Sequence, residues 1–110
     1  MQAGNLVVGV DVGTGSARAG VFTFKGQILG HADHPILMHK PKPDHAEHSS
    51  EDIWTAVGKA VKSALTSAKA DPSSIAGISF DATCSLVVRD VDAAPLSIST
   101  SGENRWDSIA

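Results

Sequence analysis

The chain has 110 residues, 42% apolar and 19% charged, with a formal net charge of −3. That suits one small globular domain with a modest core, and the absence of a Lys/Arg cluster or a basic strip lined by aromatics argues against a nucleic-acid binder. One cysteine excludes an intrachain disulfide and fits a reducing compartment. Met1-Gln2-Ala3-Gly4-Asn5 carries no positive leader, and the apolar run after it is too short for a signal or a membrane span, so the expectation is cytoplasmic with no membrane partner.

Taken in chain order, Leu6–Val12 reads as a buried first strand and Arg18–Phe24 as a second, reversing at Lys25-Gly26 into a third over Ile28–Ile36. Asp33, His34 and Pro35 weaken the end of that third strand, which marks an edge or a strand leaving the sheet. Met38–His48 is a proline- and histidine-rich loop without periodicity. Ser49 is a helix N-cap, with Glu51 and Asp52 favourable in the first turn. The helix carries an apolar stripe of Ile53, Trp54, Val57, Ala60, Val61, Ala64, Leu65 and Ala68, with Trp54 as a core anchor, and Asp71-Pro72 stops it. Ile75–Asp81 and Leu86–Asp90 read as two further strands, and Ala93–Ser108 is Ser/Gly-rich and weakly patterned.

The most informative stretch is Gly9–Arg18, a strand ending in Asp11 and running through Gly13, Thr14, Gly15 and Ser16 to Arg18. Glycines let backbone N–H groups approach an anion, hydroxyls add donors and arginine adds a fixed fork of charge, chemistry suited to a phosphate and its metal. Asp11 would hold Mg²⁺ directly or through water, since that ion prefers oxygen ligands. A plain hairpin turn is the competing reading, because Gly-Thr-Gly is also ordinary turn chemistry, with Asp11 as its cap and Arg18 paired to a carboxylate. No Lys-Ser or Lys-Thr pair follows a glycine, so the P-loop pattern is absent. GxGxxG is nearly met by Gly13 and Gly15, but Arg18 stands where glycine is required. A free-standing Rossmann-like binder would also need a helix directly after Gly15.

Asp-x-Gly-Thr-x-Ser-x-Arg after a hydrophobic strand resembles the N-terminal phosphate motif of the FGGY carbohydrate kinases, which include glycerol, xylulose, ribulose and ribitol kinases. Pro41-Lys42-Pro43-Asp44-His45-Ala46-Glu47-His48, followed by Asp52-Ile53-Trp54, is similar to the family's proline-rich lead into its first helix, with Asp44-His45 where Gly-Trp is commoner. Ile75-Ala76-Gly77-Ile78-Ser79-Phe80-Asp81-Ala82-Thr83-Cys84-Ser85-Leu86 is similar to the pentulose-kinase branch. Three hairpin-joined strands, a crossover helix and a fourth strand match the order of that family's α/β, actin-like ATPase (ribonuclease-H-like) fold.

The resemblance implies that residues 1–110 are the N-terminal portion of the first kinase domain, incomplete, with the catalytic aspartate base, the adenosine-binding loops and the second domain beyond Ala110. It implies ATP and Mg²⁺ as cofactors, with Asp11, Gly13, Thr14, Gly15, Ser16 and Arg18 at the phosphates. Gly13 and Gly15 would serve backbone geometry and close approach. Asp81, Ala82, Thr83, Cys84 and Ser85 would line the pocket of a sugar or polyol, D-ribulose or ribitol being favoured. A tight β-turn is the alternative for that segment, and Cys84 reads as a buried small thiol, not a nucleophile. Five histidines, His31, His34, His39, His45 and His48, match no zinc spacing. His45 and Glu47 fall in a loop that borders the sugar site in some family members. The fragment alone would be inactive. The alternative from another class is a non-catalytic truncated actin-fold module that binds nucleotide or a protein partner, with homo-oligomerisation through exposed sheet edges.

Overall fold

The structure, a computed structural model, describes residues 4–98 and 102–110. Met1–Ala3 and Ser99–Ser101 of the Ser/Gly-rich stretch lie outside the described residues. Strand β1 (Leu6–Val12) is one of the two inner strands of a four-stranded sheet. It pairs antiparallel with β2 (Ser16–Thr23) and parallel with β5 (Ile75–Ala82), and β2 pairs antiparallel with β3 (Ile28–Pro35). The strands lie in the order β3-β2-β1-β5. The three hairpin-joined strands and the strand after the helix follow the chain order expected from the sequence, and β3 is an edge as its Pro35 suggested. Gly26, at φ 88°, makes the β2–β3 turn, donating its N–H to Thr23 O at 2.9 Å.

One face of the sheet carries α1 (Ser50–Ala68). Val8, Val10 and Val12 of β1 and Ala17, Ala19 and Val21 of β2 alternate onto that face and are buried with Ala56, Val57, Ala60 and Ala64 of the helix. Each fully buried valine contributes about 1.5–3 kcal/mol. Small residues set the spacing. A Cβ added to Gly30 of β3 would lie 2.4 Å from the backbone nitrogen of Ala68, so strand and helix meet backbone to backbone.

The helix begins as the sequence indicates, with the Ser49 hydroxyl accepting from Asp52 N–H at 3.2 Å. Its first turn is also held from outside. The Asp107 carboxylate, fully buried, accepts from the Ser50 N–H at 2.7 Å and from the Ser50 hydroxyl at 2.6 Å. A buried anion at a helix N-terminus is favoured by the unpaired N–H groups there. Arg89 donates to the same Ser50 hydroxyl and approaches Asp107 at 3.8 Å.

Several expectations are corrected. Trp54 is 71% exposed and is no core anchor, because Ala56, not Trp54, joins Val57, Ala60 and Ala64 on the packed stripe. The helix stops two residues before Asp71, at a left-handed cap on Lys69 (φ 53°) whose N–H bonds to Leu65 O and Thr66 O. Asp71 instead caps a short 3₁₀ turn, Pro72–Ser74. Leu86–Asp90 forms no strand, only single bridges at Val87 and Arg89. The loop before α1 contains a two-residue strand, β4 (Glu47–His48), paired with β6 (Ser108–Ile109). Trp106, from the weakly patterned stretch, is buried against His39, ring centroids 4.5 Å apart, and its Nε1–H donates to Glu103, holding that carboxyl below the ordinary carboxylate range.

Two substitutions test this packing. Gly30→Ala drives a methyl into the Ala68 backbone and should cost about 1–3 kcal/mol in urea unfolding. Asp107→Ala strips the helix start of its buried acceptor and should cost about 3 kcal/mol, whereas Trp54→Ala, at an exposed site, should leave the midpoint nearly unchanged.

Candidate functional site

The turn between β1 and β2 has its carbonyls turned inward. Ser16 O accepts from Gly13 N–H at 2.9 Å, Gly15 O accepts from Ile36 N–H at 3.0 Å, and Thr14 O accepts from His48 Nε2 at 2.6 Å. Thr14 and Gly15 are exposed, and neither of their backbone N–H groups has a partner among the described residues. With the acceptors occupied and the donors free, the backbone groups shown at this tip are N–H groups, which favours an anion. Neither Gly13 nor Gly15 has positive φ, so left-handed geometry is not their reason. A Cβ on Gly13 would lie 3.1 Å from the Arg18 guanidinium, so that glycine leaves room for the arginine, and one on Gly15 would meet no atom within 4 Å.

Alternation along the strands gathers charges on the face of the sheet opposite α1. Asp33 pairs in register with Arg18, Arg18 with Asp11 and Asp11 with Asp81, so a single row crosses β3, β2, β1 and β5. All four side chains line an open trough of about 530 Å³. Arg18 donates to Asp11 Oδ2 at 2.7 Å, an ion pair with both side chains about half exposed. Such pairs are worth about 0–1 kcal/mol, so this one opens readily for a better partner. One guanidinium against three carboxylates leaves the row negative, and a polyphosphate would be repelled there without a cation. Asp11 and Asp81 are adjacent on parallel strands, and carboxylate oxygens are the hard donors that could hold a Mg²⁺ ion keeping several of its waters. Among the described residues no cluster of three or more His, Cys, Asp or Glu could itself hold a metal.

The second predicted cluster adjoins the first. Ala82 pairs with Val12, and Thr83 N–H reaches Val12 O at 3.4 Å, so Asp81–Ser85 leaves the sheet beside the Gly13 turn. Thr83 and Ser85 share a hydroxyl–hydroxyl bond at 3.0 Å. Cys84 is exposed, correcting the expectation of a buried thiol: it lies past the end of β5, where the chain has left the sheet and no element covers it. Of the histidines, His31 lines the trough and His39 stacks on Trp106, while the Nδ1 atoms of His34 and His45 bond to the carbonyls of Pro35 and Pro43. The sequence reading missed His48 as a contact of the turn. Glu47, which the sequence places in a loop bordering the sugar site in some family members, is buried, and its carboxylate oxygens have no hydrogen-bond partner among the described residues. Two-residue strands leave no periodicity to read. Among the described residues no helix is long and apolar enough to cross a membrane.

Residues 6–105 match the N-terminal domain of the FGGY family of carbohydrate kinases. The chain is 47% identical over 81 residues to a D-ribulokinase of Saccharomyces cerevisiae, covering 74% of this chain and 11% of that one. Its fold superposes on a gluconate kinase from Lactobacillus acidophilus with a TM-score of 0.76 and 23% identity, covering 96% of this chain and 19% of the other. It superposes on a glycerol kinase from Plasmodium falciparum solved with ADP with a TM-score of 0.68 and 13% identity, covering 100% and 21%. The chain thus spans about a fifth or less of the length of the proteins it matches. The strand that follows Gly15 removes the Rossmann-like alternative, since the required helix is absent. With its hairpin-joined strands, its crossover helix and a family match over residues 6–105, the chain belongs to the FGGY family of carbohydrate kinases and has their actin-like fold.

Proposed function

We propose that this chain is the N-terminal portion of the first domain of an ATP-dependent kinase of a pentulose or pentitol, D-ribulose or ribitol favoured, working in the cytoplasm. The observation that carries the phosphate site is the turn's polarity: three carbonyls bonded inward and the Thr14 and Gly15 N–H groups left free beside Arg18. In this reading the nucleotide phosphates lie against Gly13–Ser16, Arg18 leaves Asp11 for a phosphate oxygen, and Asp11 is released toward Mg²⁺, directly or through water. The metal, when bound, neutralises phosphate charge that the acidic row would otherwise repel. Asp81, Ala82, Thr83, Cys84 and Ser85 offer small side chains, hydroxyls and backbone to the polyol, next to the turn. An aspartate base outside the chain accepts the proton of the attacking hydroxyl, and the phosphoryl group passes to that oxygen with ADP leaving. The pentulose preference rests on the Asp81–Ser85 segment and on the D-ribulokinase relative. The other matched proteins act on different substrates by name.

A second reading, a non-catalytic module that pairs with a copy of itself or another protein, is favoured by one observation. Ile78 and Phe80 of edge strand β5, in register with Val8 and Val10 on the helix side of the sheet, lie past the part that α1 covers and are half exposed.

Calorimetric titration of the chain with ATP, with and without Mg²⁺, separates the readings. Arg18→Ala should weaken Mg-ATP binding roughly tenfold or more while shifting stability by less than about 1 kcal/mol. Asp11→Asn should remove most of the dependence on Mg²⁺. The 110-residue chain should release no ADP with any member of a pentulose panel, and turnover by it would overturn the assignment of the base to another segment.

A further inference from the structure

His48 is the largest of the fully buried side chains, 1% exposed, and its Nε2 lies 2.6 Å from the carbonyl oxygen of Thr14, thirty-four positions earlier. A carbonyl oxygen only accepts, so Nε2 carries the proton and donates. The flanking residues leave His48 little freedom to move. Glu47 exchanges two backbone hydrogen bonds with His39, each 2.9 Å, His48 itself pairs in register with Ser108, and the next residue, Ser49, caps α1.

On the reading that the Gly13–Ser16 turn takes a phosphate, we propose that His48 is a positioning residue for that site, acting through Thr14. The other two carbonyls of the turn are held by backbone N–H groups, from Gly13 and Ile36. Thr14 O is held by a side chain, so its direction depends on one residue type. Rotating that peptide would swing its carbonyl outward and carry the N–H of Gly15, which shares the peptide plane, inward. An outward carbonyl repels a phosphate that the N–H would have bound. His48 thereby fixes the sign of the charge shown at the tip, without touching the ligand. Because β4 is also tied to His39 and to β6, the turn's polarity is set from the start of α1 and from the segment that carries Trp106 and Asp107.

Two measurements on the 110-residue chain test this. Long-range proton–nitrogen NMR of the imidazole should show the Nε2–H form with a slowly exchanging proton. His48 bearing its proton only on Nδ1 would overturn the proposal. Amide resonances of Thr14 and Gly15 are then followed through titration with Mg-ATP and, separately, inorganic phosphate. His48→Gln places an N–H donor near the same point and should keep affinity within about twofold. His48→Leu, of similar volume without a donor, should weaken binding about three- to tenfold and broaden Gly13–Ser16 selectively, leaving α1 amides unchanged. Equal affinity and an unperturbed turn in His48→Leu would overturn the role. If the wild-type chain shows the expected tautomer and His48→Leu the selective broadening, but the wild-type chain binds neither probe, the phosphate reading is overturned and the positioning of the turn stands.

Discussion

The pleat of β1 is the constraint from which the rest of the molecule follows. Side chains on a strand alternate sides, and β1 is paired on both edges, so its parity is imposed on its neighbours through the register. Val8, Val10 and Val12 take the covered side, which commits Gly9 and Asp11 to the other. Pairing then assigns Arg18, Asp33 and Asp81 to the same side as Asp11. A slip of one residue in β1 would bury Asp11 beneath the helix and place valines in the trough. The apolar core and the charged row are therefore two results of one alternation.

That division of labour explains the residue sizes on the packed side. Alanines and Gly30 let α1 sit close to β2 and β3, giving a thin and rigid layer under the turn. The charged side is the opposite case, since its Arg18–Asp11 pair is solvent-accessible and weak. Such a pair keeps two ligand-directed groups near one another at little cost when they must part. Rigidity lies in the backbone of the turn and adaptability in the side chains beside it.

Much of this was legible in the chain itself, for physical reasons that vary by element. The apolar run from Leu6 and the glycine turn at Gly13 bounded β1 at Leu6 and Val12, and Ser49 with Glu51 and Asp52 marked the start of α1, because both signals are local. The Asp11–Arg18 motif was visible as a pattern, but the inward direction of its carbonyls was not, since that depends on Ile36 and His48 from other segments. Trp54 was misplaced because large apolar residues dominate a stripe read by eye, whereas the helix packs through Ala56, Ala60 and Ala64. The burial of Asp107 and Trp106 was not legible. They sit among serines and glycines, and their burial follows from long-range docking on the start of α1 and on His39.

The two tryptophans turn out to be a matched pair of optical reporters. The chain has no tyrosine, so its near-ultraviolet emission comes from Trp54 and Trp106 with little else. Trp54 stands in solvent on the outer side of α1, while Trp106 is enclosed, stacked on an imidazole, with the Arg105 guanidinium 4.5 Å from its ring centroid. A collisional quencher such as iodide reaches the first and not the second. Undocking of the segment around Asp107 from the helix start would thus be seen as a red shift confined to the shielded emitter, a label-free signal for the end of the chain that the sequence describes least.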